Sequence, residues 1–163
     1  VDVGAGSGFF TFPAAACVGT TGRVYAVDVS KELVELVRER AEEGKFGNVE
    51  SILSTRTHIP LEDGLADVAI LANVLHGIPP KTVDEAVRVL RSGGRLVDVD
   101  WKKEATPEGP PVRHRLDVSE ATAVMAARGL VRVASFELGP LHYVLVFERP
   151  RPARLPGHLV SAE

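Results

Sequence analysis

Val1-Asp2-Val3-Gly4-Ala5-Gly6-Ser7-Gly8-Phe9-Phe10 (VDVGAGSGFF, residues 1–10) decides how this chain reads. A short β-branched stretch runs into a glycine-rich turn, and the apolar residues after it form a helix from about Phe10 to Cys17, closed by Gly19. Pro13 cannot sit deep in a helix, so the helix has to begin near Phe10. Glycines in Asp2-x-Gly4-x-Gly6-x-Gly8 leave out side chains where backbone meets either a ligand or tightly packed neighbours, and the turn alone does not separate the two.

The same alternation continues outward. Arg23–Val29 reads as a second strand, and Ser30 caps a helix that buries Leu33, Val34, Val37 and Ala41 and ends at Gly44. NVESIL (48–53) is a third strand, and ADVAILAN (66–73) is a fourth, apolar enough to lie centrally. PPKTVDEAVRVLRSGG (79–94) reads as a helix with proline at its start and glycine past its end, followed by the strand RLVDVDW (95–101). A Pro/Gly loop leads to a helix capped by Asp117 or Ser119. Two strands then close the chain as an antiparallel pair around Gly139-Pro140. This is an α/β pattern with a parallel sheet, forming one domain over residues 1–149, with 150–163 expected to be a flexible tail.

Composition narrows the function classes. A formal net charge of -3 offers no broad basic surface for a nucleic-acid partner. A single cysteine excludes an internal disulfide framework and a thiolate-rich metal site, and fits a cytoplasmic location. The five histidines are too scattered to predict a metal centre, and no apolar run spans a membrane.

Spacing says more. A dinucleotide fingerprint needs glycine at position 9, where this chain has Phe9, and that argues against a nicotinamide cofactor. Asp28 ends the second strand, where its carboxylate is placed to take both hydroxyls of a ribose. Loop and acid together predict a nucleoside-like ligand with an anionic group over the loop.

VDVGAGSG, VYAVDVS, IPLEDGLADVAILANVLHGI and RVLRSGGRLVDVDW follow one another in an order that resembles the class I S-adenosylmethionine-dependent methyltransferases, most of all the type 11-like small-molecule branch. The resemblance covers about residues 1–148. It implies a Rossmann-like, doubly wound sheet of seven strands in the order 3-2-1-4-5-7-6, with strand 7 antiparallel, and S-adenosyl-L-methionine as cofactor. It implies that Gly4, Gly6 and Gly8 lie along the methionine part near Asp2, that Asp28 holds the ribose, that Val29 packs on the adenine, and that Asn73 lies beneath the reacting centre. Where the family usually has an aspartate near the adenine amino group, this chain has Thr55 followed by Arg56, which predicts weaker cofactor binding. The family's N-terminal helical segment is also missing, and the chain is expected to be a fragment cut within its first strand.

Methyl transfer needs alignment more than a catalytic triad, and a base only when the acceptor carries a proton. His76 is the candidate catalytic residue, as a base or as an orienting group; a structural histidine at a helix start is the competing reading. Trp101, with Lys102 and Lys103, is placed to wall an acceptor pocket or to join the core, and one of His142 and Tyr143 has to face away from that pocket. His58 and His114 are expected in solvent, and Cys17 is expected to be buried and inert. The absence of a DPPY-like stretch argues against base-amine methylation, and one cysteine against the chemistry of arsenic methylation. A small-molecule acceptor remains, with a non-catalytic binding module and a nicotinamide-dependent oxidoreductase as alternatives.

Overall fold

The structure, a computed structural model, describes residues 1–152; the expected tail lies from residue 153 onward outside the described residues. Seven strands form one sheet: β1 (Asp2–Val3), β2 (Val24–Asp28), β3 (Val49–Leu53), β4 (Ala66–Ala72), β5 (Leu90–Trp101), β6 (Val131–Leu138) and β7 (His142–Glu148). Their order is β3-β2-β1-β4-β5-β7-β6, with β7 antiparallel to both neighbours and the pairs from β3 to β5 parallel. The chain crosses from β1 outward to β2 and β3, then returns to β4 on the other side of β1. The carboxyl ends of β1 and β4 therefore flank the point where strand order reverses, where open α/β sheets bind ligands.

Four helices cover the faces: α1 (Thr11–Val18), α2 (Lys31–Glu43), α3 (Pro80–Val89) and α4 (Val118–Ala126). Alternation along the strands assigns the sides. Ala26 of β2 meets Val37 of α2, Phe12 of α1 and Ala5 on one face. Its neighbour Val27 joins Val3, Leu71, Leu96, Leu145 and Phe147 on the other, beneath Val83, Ala86 and Val89 of α3 and Ala121 and Met125 of α4. Ser30 caps α2 by accepting the Leu33 N–H at 3.2 Å, and Asp117, not Ser119, caps α4 in a reciprocal capping box with Glu120. None of the described helices is long and apolar enough to cross a membrane.

Two expectations need correction. α3 stops at Val89 instead of continuing toward Gly93, because Leu90 already pairs with Ala66 and begins β5. The Arg149 guanidinium donates to the carbonyls of Val87 and Leu90, closing the helix end, and Gly93 turns at φ 77° to pair its N–H with the Arg149 carbonyl at 2.6 Å. Cys17 is exposed, not buried. The inward residues of α1 are Thr11 and Ala15, and a position two beyond Ala15 lies about 200° round the helix, facing outward.

Candidate functional site

The glycine loop leaves β1 and leans on β2: the Gly4 and Ala5 N–H groups both donate to the Val27 carbonyl, at 2.8 and 3.0 Å. Gly4, Gly6 and Gly8 all have positive φ, at 73°, 55° and 90°. Their reasons for being glycine differ. A Cβ on Gly4 would stand 2.7 Å from Val74 Cγ1, and one on Gly8 would stand 2.5 Å from the Phe12 ring. A Cβ on Gly6 would meet nothing within 4 Å. Packing against the protein's own side chains accounts for Gly4 and Gly8, so of the three only Gly6 opens onto free space.

Asp28 ties that open point down. Its Oδ2 accepts the Gly6 N–H at 2.9 Å and its Oδ1 accepts the Ser30 N–H at 3.0 Å. Each carboxylate oxygen has a second lone-pair position beyond these bonds. Asp2 serves a different purpose. It is buried on the α1 side, where the Thr11 hydroxyl donates to Oδ2 at 2.6 Å and pins α1 to β1. Burial pushes its carboxyl above the usual carboxylate range, with the Thr11 hydrogen bond opposing.

Between the carboxyl ends of β1, β2 and β4 lies a cleft of about 100 Å³ whose walls include Gly4, Asp28, Val29, Ser54, Arg56 and Ile78. Val29 is an exposed apolar side chain on its rim, and Arg56 is fixed through its carbonyl, which accepts the Thr82 hydroxyl of α3. Thr55 is not on the wall. It pairs with His58 across a tight turn, and its hydroxyl accepts the Thr57 N–H at 3.3 Å, so Ser54 takes its place beside the cleft. Asn73 ends β4 in the left-handed region at φ 55°, exposed, with its N–H on the Val99 carbonyl at 2.7 Å. That turn re-aims the chain into a 3₁₀ turn, Leu75–Gly77, which carries His76.

His76 Nδ1 lies 2.8 Å from Asp100 Oδ1 and 3.0 Å from Oδ2. Asp100 is buried on β5 and also accepts the N–H groups of Trp101 at 2.8 Å and His76 at 3.3 Å. Trp101 is half-buried; His142 stacks on it at 4.3 Å, while Tyr143 turns into the core. Buried Arg115 holds the loop after β5. Its guanidinium lies 5.3 Å from the Trp101 ring and donates to the carbonyls of Pro110, Lys102, Glu104 and Glu108 and to the Thr106 hydroxyl. Lys102 is paired with Glu137, and Lys103 with Glu120. His114 is exposed; His58 is largely exposed but has Nδ1 3.0 Å from Glu85 Oε2.

Asp98, two residues before Asp100, is fully buried, and neither carboxylate oxygen finds a hydrogen-bond partner among the described residues. Burial, then the nearby Asp100, pushes its carboxyl well above the usual range. Its register partners are Leu71 and Leu145, so Asp98→Leu is expected to raise stability by about 1–3 kcal/mol, read as a higher midpoint in urea unfolding. A lower midpoint would mean that the acid has a partner it cannot lose.

Sequence reasoning passed over Asp98, Asp100 and Arg115. The signal for the first two was present: RLVDVDW places two acids at i and i+2, on one face of an otherwise apolar strand.

A family profile described as a methyltransferase domain matches residues 1–98. An arsenite methyltransferase of Halobacterium salinarum is 37% identical over 102 residues, covering 61% of this chain and 26% of that protein. A ubiquinone/menaquinone biosynthesis C-methyltransferase of Ectopseudomonas mendocina is 30% identical over 110 residues, covering 66% of this chain and 43% of that protein. The chain thus spans less than half the length of these curated relatives. The crystal structure of a SAM-dependent methyltransferase from Aquifex aeolicus superposes with a TM-score of 0.86 at 31% identity, covering 91% of this chain and 80% of that one. Sheet order, cleft position and these likenesses agree, and the chain belongs to the class I S-adenosylmethionine-dependent methyltransferases.

Proposed function

We propose that the cleft at the ends of β1, β2 and β4 binds S-adenosyl-L-methionine, and that the chain serves methyl transfer to a small-molecule acceptor in the cytoplasm. The observation that carries this reading is the pairing of Gly6 with Asp28. The loop's one unobstructed glycine is fastened by its amide to a carboxylate that keeps further acceptor positions, an arrangement suited to a ribose beside a close-lying chain. Val29 and Ile78 offer apolar surface to a purine, and Arg56 stands at the same wall. With the Thr55 hydroxyl taken up in its own turn, adenine loses one polar contact, which favours modest affinity.

When bound, the cofactor supplies an activated methyl group on a sulfonium, open to in-line attack, so the chain's own work is to bind, align and exclude water. Asn73 sets the floor of that region through its fixed left-handed turn, and Gly4, Gly8 and Asp2 act one step back, by packing the loop and the helix after it. The named relatives act, by their descriptions, on arsenite and on quinone precursors, both small molecules. The exposed Cys17 lines a groove at the amino-terminal ends of β2 and β4, at the opposite edge from the cleft, so it is not placed to hold arsenic there.

The test is calorimetric titration of S-adenosylhomocysteine into the chain and into Asp28→Ala, with circular dichroism confirming that both are folded. The expected result is micromolar binding that falls about a hundredfold or more in the variant. That loss corresponds to two charge-assisted hydrogen bonds at about 1.5–3 kcal/mol each. Equal affinity in the variant, or no binding by the folded wild-type chain, would remove the basis of the proposal.

A further inference from the structure

We infer that His76 and Asp100 form a proton-accepting pair, and that the methyl acceptor is a molecule whose nucleophilic atom gives up a proton as it reacts, such as a phenol or an enol. The inference rests on the reading of the cleft as the methyl-donor site, and names the acceptor chemistry of that site.

The geometry is that of an oriented base. Asp100, on a side chain 1% exposed, meets three donors: the His76 ring at Nδ1 and the N–H groups of His76 and Trp101. With the Nδ1 proton committed to Asp100, the lone pair of the neutral ring sits on Nε2, on a side chain that is 15% exposed. The 3₁₀ turn sets the ring between Asn73, at the end of β4, and Gly77 and Ile78, on the cleft wall. A histidine needed only for packing does not require a buried carboxylate behind it, since burying that charge costs free energy that the pair has to offset.

The other titratable groups nearby are not available for the task. Asp98 lies on the same strand face behind Asp100, sealed in the core. Tyr143 stands opposite Asp100 on β7, but its hydroxyl donates to the Leu116 carbonyl and burial holds the phenol well above its usual range. Asp28 is engaged by the Gly6 and Ser30 amides. Lys102, on the far side of Trp101, is paired with Glu137.

The step balances. His76 Nε2 takes the proton from the acceptor O–H while the oxygen's electron pair forms the bond to the methyl carbon, and the pair of the breaking C–S bond stays on sulfur. The positive charge that leaves sulfur ends on the His76 imidazolium, facing Asp100. A thioether or tertiary-amine acceptor has no proton to give, and the pair would then be idle.

The experiment compares the wild-type chain with His76→Gln and Asp100→Asn, each checked for fold by circular dichroism and for S-adenosylhomocysteine affinity by calorimetry. Affinity is expected to stay within about twofold, since neither residue is assigned to the cofactor. Nitrogen NMR of the histidine rings should find His76 with its neutral-form proton on Nδ1, and should lose that preference in Asp100→Asn. A proton on Nε2 in the wild type would overturn the pair.

With S-adenosylmethionine, 2-naphthol and N,N-dimethyl-2-naphthylamine serve as matched acceptors with and without a proton. Methylation of the naphthol alone is expected, with a rate that falls on the acid side in step with the NMR titration of His76. His76→Gln should lower that rate about a hundredfold or more and abolish the acid limb. A rate unchanged in His76→Gln, preference for the amine, or transfer to neither acceptor by a cofactor-loaded chain would overturn the inference. Failure of the wild-type chain to bind cofactor would instead count against the preceding proposal, and the NMR result would still decide the pair.

Discussion

Gly6→Ala is expected to give a folded chain that has lost its cofactor, and Gly4→Ala a chain that has lost much of its stability. Both glycines have positive φ, so any L side chain carries a conformational penalty of about 1–2 kcal/mol at either position. What the new methyl meets separates them. At Gly4 it would stand 2.7 Å from Val74 Cγ1, on a β-branched side chain with little freedom to turn away. Overpacking there adds about 1–3 kcal/mol, enough in total to lower the unfolding midpoint sharply. At Gly6 the methyl meets no protein atom within 4 Å, so stability should fall by only about 1 kcal/mol.

The same methyl occupies the space where the proposal puts the ligand, and any shift of the loop to relieve φ draws the Gly6 amide off Asp28. Affinity for S-adenosylhomocysteine should drop about a hundredfold, as large as the loss from truncating Asp28. Thermal unfolding and calorimetry on the two variants decide the matter. A Gly6→Ala chain that binds as tightly as wild type would show that the ligand does not approach this turn.

That division among three glycines was not legible in the sequence, although the turn itself was. Period and punctuation gave the alternation of strands and helices, and the resemblance supplied the sheet order. These features are local: a strand's period, a cap at Ser30, a turn at Gly139-Pro140. The reason a given glycine is glycine lies in Val74 or Phe12, and Val74 is on a different strand's end, far along the chain. For the same reason the Asp28–Gly6 and His76–Asp100 pairs stayed hidden, since each joins the carboxyl ends of two strands that become neighbours only in the sheet. Apolar periodicity reports which residues are buried, not which polar groups they face. It missed the end of α3 on the same account: PPKTVDEAVRVLRSGG is locally a good helix, and the competing partners, Ala66 and Arg149, come from elsewhere.

Glu85→Ala should cost about 2–3 kcal/mol at neutral pH, and much less in acid. Glu85 is buried in α3, where its Oε2 accepts the Ile59 N–H at 2.9 Å, Arg88 Nη2 at 2.8 Å and the His58 ring at 3.0 Å, while Oε1 accepts Arg88 Nε at 2.8 Å. Arg88 then donates to the carbonyls of Ile59 and Leu61 and to Asp63. The segment between β3 and β4, with buried Ile59 as its anchor, is thereby clamped onto α3. Hydrogen bonding from Arg88, opposed by burial and reinforced by the Ile59 N–H, the Arg88 charge and His58, holds the Glu85 carboxyl down at about 2, against an ordinary value of 4.5.

A folded-state value below the unfolded one means that the unfolded chain binds the proton first. The clamp's contribution is therefore fully present above about pH 4.5 and disappears as pH falls toward about 2. Asp98 acts in the opposite sense: its raised value makes the wild-type chain lose stability as pH climbs above the ordinary carboxylate range. Urea unfolding of Glu85→Ala and wild type should then diverge at about pH 6 and converge toward about pH 2.5, and the Asp98→Leu background isolates the Glu85 limb. Equal losses at both pH values would assign the cost of Glu85→Ala to packing alone. Because Ser54 and Arg56 lead into this clamped segment and line the cleft, Glu85→Ala should also weaken S-adenosylhomocysteine binding severalfold at neutral pH, through a cleft wall less firmly held.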